Sequence, residues 1–509
     1  MMIKMKNLIL KITIIALIAV GFTSCDDYLD VNTPSEAVNV KDVEMATLMA
    51  PVLQKTVYAH YYTETTFGNY SQYFGGYGYG ASAKTQNSST WSTIYLSILP
   101  NIRVIQAKAD AVKATKYRAV SEVVEAISMG LAVDNWDNVP YSQATDPLET
   151  VYPEYDSGQE VYTNIIALLD KAIAALKGSD DSGYSLGSED LIYNGDYDQW
   201  LRAAYTYKAR FQLRLMNKGM ASPSDVLASI ENGFTSNADD FQLGMPSDKI
   251  NPWYSGNVLT AQTGNYYKGP NDQIVSMLNG TTYPFESGVV LVDPRLPKLY
   301  VRLIQDDYAR PIADDETTTP WRGGMNGGEG ESSDGEHRNT FFKDGGFLTS
   351  NGAPMILITY AEAMFIKAEA LFLANGGNET STGSTADAYV AYMEGIAANM
   401  SKLKANGSDY MADTSVDVGE AGLMLNHIMK EKYIANIHNT ETYADFRRYN
   451  FSSNVFKGLD LRLEGEDDEG EMVGKWYVRA IYPTSEKTAN ADVVGRNWQE
   501  PDVPVWWAN

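Results

Sequence analysis

The stretch at 354–374, PMILITYAEAMFIKAEALFLA, limits the choice of fold more than any other. It is apolar on nearly every side and is interrupted by Thr359, Glu362, Lys367 and Glu369. The spacing predicts a helix over 354–374. A helix apolar all round has no face for solvent and belongs at the centre of a core. Thr359, Glu362 and Glu369 share one of its faces. Carboxylates carried into a core need cations beside them. A second predicted helix, 198–218, carries Arg202, Lys208, Arg210, Arg214 and Lys218. In a strongly acidic chain such a basic helix meets carboxylates of its own chain.

Further helical stripes fall at 41–62, 91–114 (kinked at Pro100), 116–133, 160–176, 223–232, 385–405 and 420–439. The long ones come largely as pairs joined by variable loops, which is helical-repeat packing without a strict 34-residue period. Two regions break the pattern. Residues 61–92 are rich in Gly, Ser, Asn and Tyr and predict a loop bearing aromatics. Residues 233–351 lose helical period over a long span and keep only short apolar runs at 288–292 and 299–304. They predict irregular structure with a few small strands, inserted into a helical body. A stretch of that length without helices is usually functional.

The first thirty residues say where such a body goes. Lys4, Lys6 and Lys11 precede or enter an apolar run that ends Phe22-Thr23-Ser24-Cys25. This is the layout of a secretory signal over 1–24, too short and too interrupted to span a bilayer. Cys25 is the sole cysteine of 509 residues and stands at the cleavage point. As the new N-terminus its thiol can be acylated, leaving 25–40 as a lipidated tether that holds the protein to a membrane. One cysteine excludes an internal disulfide and a cysteine-based zinc site. Removing the signal, with three lysines and no acid, takes the net charge from −25 to −28. Such a field repels nucleic acid and excludes phosphate-backbone binding as a function.

Catalytic motifs are absent. There is no phosphate-binding Gly-x-x-x-x-Gly-Lys-Ser/Thr, no His-Glu-x-x-His and no Gly-x-Ser-x-Gly. The four histidines, His60, His337, His427 and His438, do not make a metal set. The acidic loop at 463–472 has oxygens for Ca²⁺ but not the ligand spacing of a calcium loop, so no cofactor is expected. A carboxylate pair for glycoside hydrolysis stays open as an alternative, since 65 acids offer many pairs and none is singled out.

Several stretches together resemble the SusD/RagB family of nutrient-binding outer-membrane lipoproteins, in its SusD-like second branch. They are Cys25-Asp26-Asp27, Asp137-Asn138-Val139-Pro140-Tyr141, Trp200-Leu201-Arg202 with Lys208-Ala209-Arg210, and Asp293-Pro294-Arg295-Leu296. Thr359-Tyr360-Ala361-Glu362 with Lys367-Ala368-Glu369-Ala370 follows, then Asp445-Phe446-Arg447-Arg448. Arg479, Tyr482-Pro483, Glu486 and Val505-Trp506-Trp507 complete the set. The resemblance implies a mostly α protein over 41–509. In it tetratricopeptide-like helix pairs form a scaffold, and long irregular loops with a few short strands carry the ligand face. It also implies lipid anchoring at Cys25 on the outer face of the outer membrane. The partner it implies is a SusC-like TonB-dependent barrel, to which an oligosaccharide or a peptide is delivered without catalysis. A scaffold that only gates the barrel is a further alternative. Glu362, Glu369, Arg447, Arg448 and Arg479 are expected to pair within the core.

The resemblance supplies no ligand positions. A sugar presents C–H faces that pack on aromatic rings and hydroxyls that need planar polar partners. The candidates in the irregular regions are therefore Trp253, Tyr254, Trp321 and Arg322, then Tyr73, Tyr77, Tyr266 and Tyr267. Trp91, Trp506 and Trp507 are expected to be structural.

Overall fold

The computed structural model describes residues 43–75, 82, 84–145, 150–246, 248–264, 268–328, 331–461 and 474–508. Cys25, Tyr77, Tyr266, Tyr267, the expected signal at 1–24, the expected tether at 25–40 and the acidic loop at 463–472 lie outside these. The chain divides into two units, Met1–Glu44 and Met45–Asn509, and the described helices and strands all belong to the second.

Helices of eight residues or more are numbered in chain order. α1, Met45–Tyr70, runs eight residues beyond the predicted end at 62. Several of the polar residues that suggested a loop are held within the helix and against its neighbours. Thr63 Oγ1 donates to the Ala59 carbonyl and meets Thr90 Oγ1 at 2.9 Å, and Phe67 lies 4.5 Å from the Tyr443 ring. A short strand follows, β1 (Phe74–Gly75). The predicted kink near Pro100 is a π-helical segment, Ile94–Ile98, between Ser88–Thr93 and α2 (Leu99–Val112). Pro100 follows that segment inside one continuous helical run, and the wider π-helical turn before it accommodates the missing N–H and the ring.

α3 (Thr115–Trp136) and α4 (Gly158–Lys177) come next, the latter closed by a reciprocal cap between Ser157 and Glu160. α5 is Tyr197–Met216 and α6 is Pro223–Ile230. Each of these helices lies against the next from α2 to α6. After the irregular region come α7 (Tyr360–Ala374), α8 (Ala386–Lys402), α9 (Leu425–Ala435) and α10 (Glu441–Arg448). α7 lies against α6, α8 and α9, which makes it the central helix. The result is a mostly α fold of tetratricopeptide-like helix pairs.

The predicted helix over 354–374 is divided. Met355–Ile358 is a strand paired antiparallel with Phe241–Leu243, and Thr359 caps α7 by accepting the Glu362 N–H at 3.1 Å. A short apolar run reads alike as buried strand or buried helix, and the β-branched Ile356 and Ile358 favour the strand.

The carboxylates of α7 find their cations. Glu362 is held by Arg210 through bonds of 2.8 and 2.6 Å, and Arg210 stands 3.5 Å from Glu441. Arg214 pairs with Asp134 at 2.8 Å and Glu441 at 2.7 Å. Glu369 meets Arg448 at 2.8 Å and Lys432 at 3.7 Å. Arg479 pairs with Asp137 at 2.9 Å. Arg447 instead donates to the Asp134 carbonyl at 2.6 Å and lies over the rings of Tyr443 and Trp507. Trp507 is fully buried and its indole N–H donates to Asp134 at 3.1 Å. Trp91 is buried too.

The inserted region holds short helices as well as strands, among them Asp272–Leu278 and Leu296–Leu299. Its strands in chain order are β2 (Phe241–Leu243), β3 (Gly269–Pro270), β4 (Tyr300–Ile304), β5 (Asp307–Ile312) and β6 (Thr340–Phe342), with β7 (Met355–Ile358) after it. β1 pairs with β3, β2 with β7, and β4 lies between β5 and β6, all antiparallel. No helix among the described residues is long and apolar enough to cross a membrane.

Candidate ligand-binding face

Arg302 organises the face that the β5–β4–β6 sheet presents. It projects from the central strand, is 1% exposed, and donates to the carbonyls of Ala313 and Glu316, both at 2.7 Å, and of Thr319. One guanidinium thus fixes the loop that follows β5. Its plane lies 4.7 Å from the centroid of Trp321. Its Nε–H has no partner among the described residues. Burial pushes this guanidinium below the ordinary arginine value, and Glu316, 3.7 Å away, draws it back.

The fixed loop separates two hollows. The first, about 670 Å³, is lined by Trp321, Arg302, Asp315 and Asp409 and rimmed by Val289 and Leu291. The second, about 850 Å³ and more open, is lined by Arg322, Asp306, His337 and Asn339. Glu316 and Thr319 belong to both walls. The Thr318 hydroxyl and backbone N–H hold the Glu316 carboxyl at about 2, so it is ionised at neutral pH. Arg322 is steadied by Asp334 at 2.6 Å, which hydrogen bonds from Ser332 and Arg322 hold at about 2.

Trp321 and Arg322 are consecutive and serve different hollows. The segment is pinned to β6 and the residue before it: the Arg322 N–H donates to Asn339 Oδ1 and Thr340 Oγ1, both at 3.0 Å, and the Thr340 N–H donates back to the Arg322 carbonyl. An extended chain sends successive side chains to opposite sides. Trp321 is 7% exposed, so only part of its ring surface reaches the first hollow.

The other described candidates lie elsewhere. Trp253 is 5% exposed, stacked at 4.2 Å on His438 and edge-on to Tyr61 at 4.6 Å. The Tyr73 ring is buried, stacked at 4.7 Å on Tyr433, with its hydroxyl 2.6 Å from the Tyr433 carbonyl and from Thr442 Oγ1. Tyr254 is half-buried against the core. In this conformation Trp253 and Tyr73 serve the core and offer no stacking surface to a ligand. The residues that candidate selection by aromatic type missed are Arg302, Asp315, Asp409, Val289 and Leu291. The apolar runs at 288–292 and 299–304 were the signal for Val289, Leu291 and Arg302, since they mark the rim and the wall of the first hollow, while Asp315 and Asp409 had none.

The chain matches the SusD-like family model described as "Starch-binding associating with outer membrane" over residues 36–483. It is similar in structure to a SusD/RagB family protein from Bacteroides thetaiotaomicron, with TM-score 0.69 and 24% identity over 92% of this chain and 99% of that one. It is likewise similar to a chitin-binding SusD homolog from Flavobacterium johnsoniae, with TM-score 0.69 and 20% identity over 91% and 98%. A SusD homolog from Bacteroides uniformis gives TM-score 0.68 and 19% identity over 91% and 99%. Among curated proteins no relative matches.

Proposed function

The chain belongs to the SusD-like family of starch-binding, outer-membrane-associated proteins, and on that premise we propose that it is a lipid-anchored, non-catalytic glycan receptor at the cell surface. Its partner is a SusC-like TonB-dependent barrel, to which it hands oligosaccharides. The observation that supports this reading is the pair of hollows held open by Arg302 beside Trp321. Their volumes suit a few sugar units each. A rigid helical scaffold keeps the face shaped before the ligand arrives, which lowers the cost of binding.

Electrophoresis through gels containing starch, chitin derivatives and other glycans tests the reading. Retardation is expected in at least one gel, weakened about tenfold in Trp321→Ala. A parallel thermal melt separates lost binding from lost folding. If no glycan retards the folded protein while a protein digest does, the cargo is peptide instead.

Cys25 supplies the anchor in this reading, and the tether keeps the receptor at high local concentration near its pore. Cys25→Ala should move the protein from the membrane fraction to the soluble one and leave glycan affinity of the purified chain unchanged. Retention in the membrane fraction would refute the anchor.

A further inference from the structure

Residues 252–262 form a short helical run that little in its own sequence supports. Pro252–Tyr254 and Thr260–Gln262 are α-helical and flank a π-helical turn, Ser255–Leu259. Ser255, Gly256, Asn257 and Thr260 are poor helix formers, and a helix this short is marginal in water by itself. The Thr260 hydroxyl donates to the Gly256 carbonyl at 2.7 Å, which competes with the helical ladder. The three pieces lie against one another more than against any other helix or strand.

The ends of the run are better defined than its middle. Asn251 is fully buried. Its N–H donates to Asn351 Oδ1 at 3.0 Å and its side-chain amide to the Ala353 carbonyl at 2.7 Å. Gly264 follows the run at φ 68°, with open space where a side chain would stand. Between them the Tyr61 hydroxyl reaches the Pro252 carbonyl at 3.4 Å, and exposed Gln262 donates to Asp344 at 2.8 Å. Trp253, Val258 and Ala261 are its buried apolar side chains.

Beneath the run lies an uncompensated site. The Trp253 ring stacks on His438 at 4.2 Å and 13°. Both ring nitrogens of His438, and His60 Nε2 in the same small cavity, have no hydrogen-bond partner among the described residues. On the run itself Asn257 is 3% exposed, and its Nδ2 has none either. Water entering here would relieve each of these groups.

We infer that residues 252–263 are an acid-opened strap, which lifts between Asn251 and Gly264 and exposes the Trp253 ring and the His438 imidazole to water. A hydrated imidazole titrates near 6.5, while burial, with Lys268 nearby, holds the closed one at about 3. Opening therefore takes up a proton below pH 6.5, and acid favours it. The groups around the site keep that sign. Phe74 and Phe342, the other rings against His438, carry no charge. Burial holds Lys268, over the Phe74 ring, at about 8, so it stays protonated. Tyr61, pushed up to about 12 by burial, stays neutral. His60 keeps Arg210 and Arg214 facing it, and their charge opposes its protonation. Burial pushes the Glu64 carboxyl up, so its exposure would reverse the sign. The Phe74 ring, not the strap, packs beside Glu64 at Gly68 and keeps it covered.

Hydrogen exchange of the full chain, read by mass spectrometry and corrected for intrinsic rates, tests the strap. Protection across 253–263 should fall about 30-fold from pH 6.5 to pH 5. Urea below the unfolding range should change it little, while α7 stays protected. His438→Asn should open more readily at pH 6.5, having lost the stack, and should then change less than about threefold with pH. Protection that is equal or higher at pH 5 in the unaltered chain overturns the inference, whether or not the variant folds. Exchange that follows urea as steeply as α7 does overturns it too, since that is global unfolding. A variant that keeps the full fall removes His438 as the trigger and overturns the acid part.

Discussion

Arg210→Met should lower the free energy of unfolding by about 3–5 kcal/mol, seen as a fall in the urea midpoint at unchanged slope. Methionine restores much of the volume but leaves Glu362 and Glu441 buried against it. The cluster holds two guanidinium groups, Arg210 and Arg214, against three carboxylates, Asp134, Glu362 and Glu441. Loss of a cation therefore hurts more than loss of an anion, and Glu362→Gln should cost less than Arg210→Met. Burial pushes the Glu362 carboxyl above its ordinary value, and Arg210 pulls it back down. Without Arg210 that carboxyl rises further and folds protonated. The penalty then grows with pH above the unfolded carboxylate range, so the variant should lose less at pH 5 than at pH 8. Adding Glu362→Leu should recover part of the loss. A loss below about 1 kcal/mol would mean that water reaches the cluster and that the pair is not desolvated.

The same residues show how far the sequence could be read. Glu362 and Glu369 on an apolar run demanded cations, and the basic residues of 198–218 were there to provide part of them. That inference needed only the cost of burying charge. The helix at 158–177 was legible over 160–176 from its apolar stripe, and the cap of Ser157 with Glu160 is added by the structure. Where partners lie far apart in sequence, local reading failed. The polar end of α1 is helical because Thr90 and Tyr443 satisfy it. Trp253 is a core residue because His438, 185 positions later, stacks on it. On the candidate ligand-binding face, Trp321 and Arg322 were nominated by aromatic and planar polar type, and the structure places them on its two hollows. The acidic lining was not, because Asp315 and Asp409 meet only through the fold.

Acid should destabilise the protein well above the carboxylate range. Burial, with Lys268 nearby, holds His438 at about 3, while an unfolded histidine titrates at about 6.5. As pH falls below 6.5 the unfolded chain takes up a proton that the folded one refuses, so stability falls with pH from about 6.5 down to about 3. The share of His438 between pH 6.5 and 5 is about 2 kcal/mol. Its ring nitrogens have no hydrogen-bond partner among the described residues, so nothing there offsets the cost of charging it. Buried His60, also held at about 3, acts in the same direction. His438→Asn removes the titration and suits the backbone, because φ here is 67° and asparagine tolerates that region. The variant should start less stable at pH 7, having lost the stack on Trp253, but its stability should fall about 2 kcal/mol less between pH 6.5 and 5. Urea titrations at four or five pH values measure both slopes. Parallel slopes for the two proteins would refute the role of His438.

The burial of Trp507 beside Asp134 also sets an order in time. The two are 373 positions apart, and Arg447 lies against both. Neighbouring helices can collapse as soon as they exist, because their contacts are local and their loops short to close. The ring around Asp134 cannot be sealed until residues 505–507 are delivered. Until then its carboxylate and the guanidinium groups around it keep their water, and the half-made scaffold lacks its final dry centre. A chain emerging N-terminus first therefore leaves this site open through most of its synthesis. Only with its last residues can the Trp507 indole cover a carboxylate placed hundreds of residues earlier.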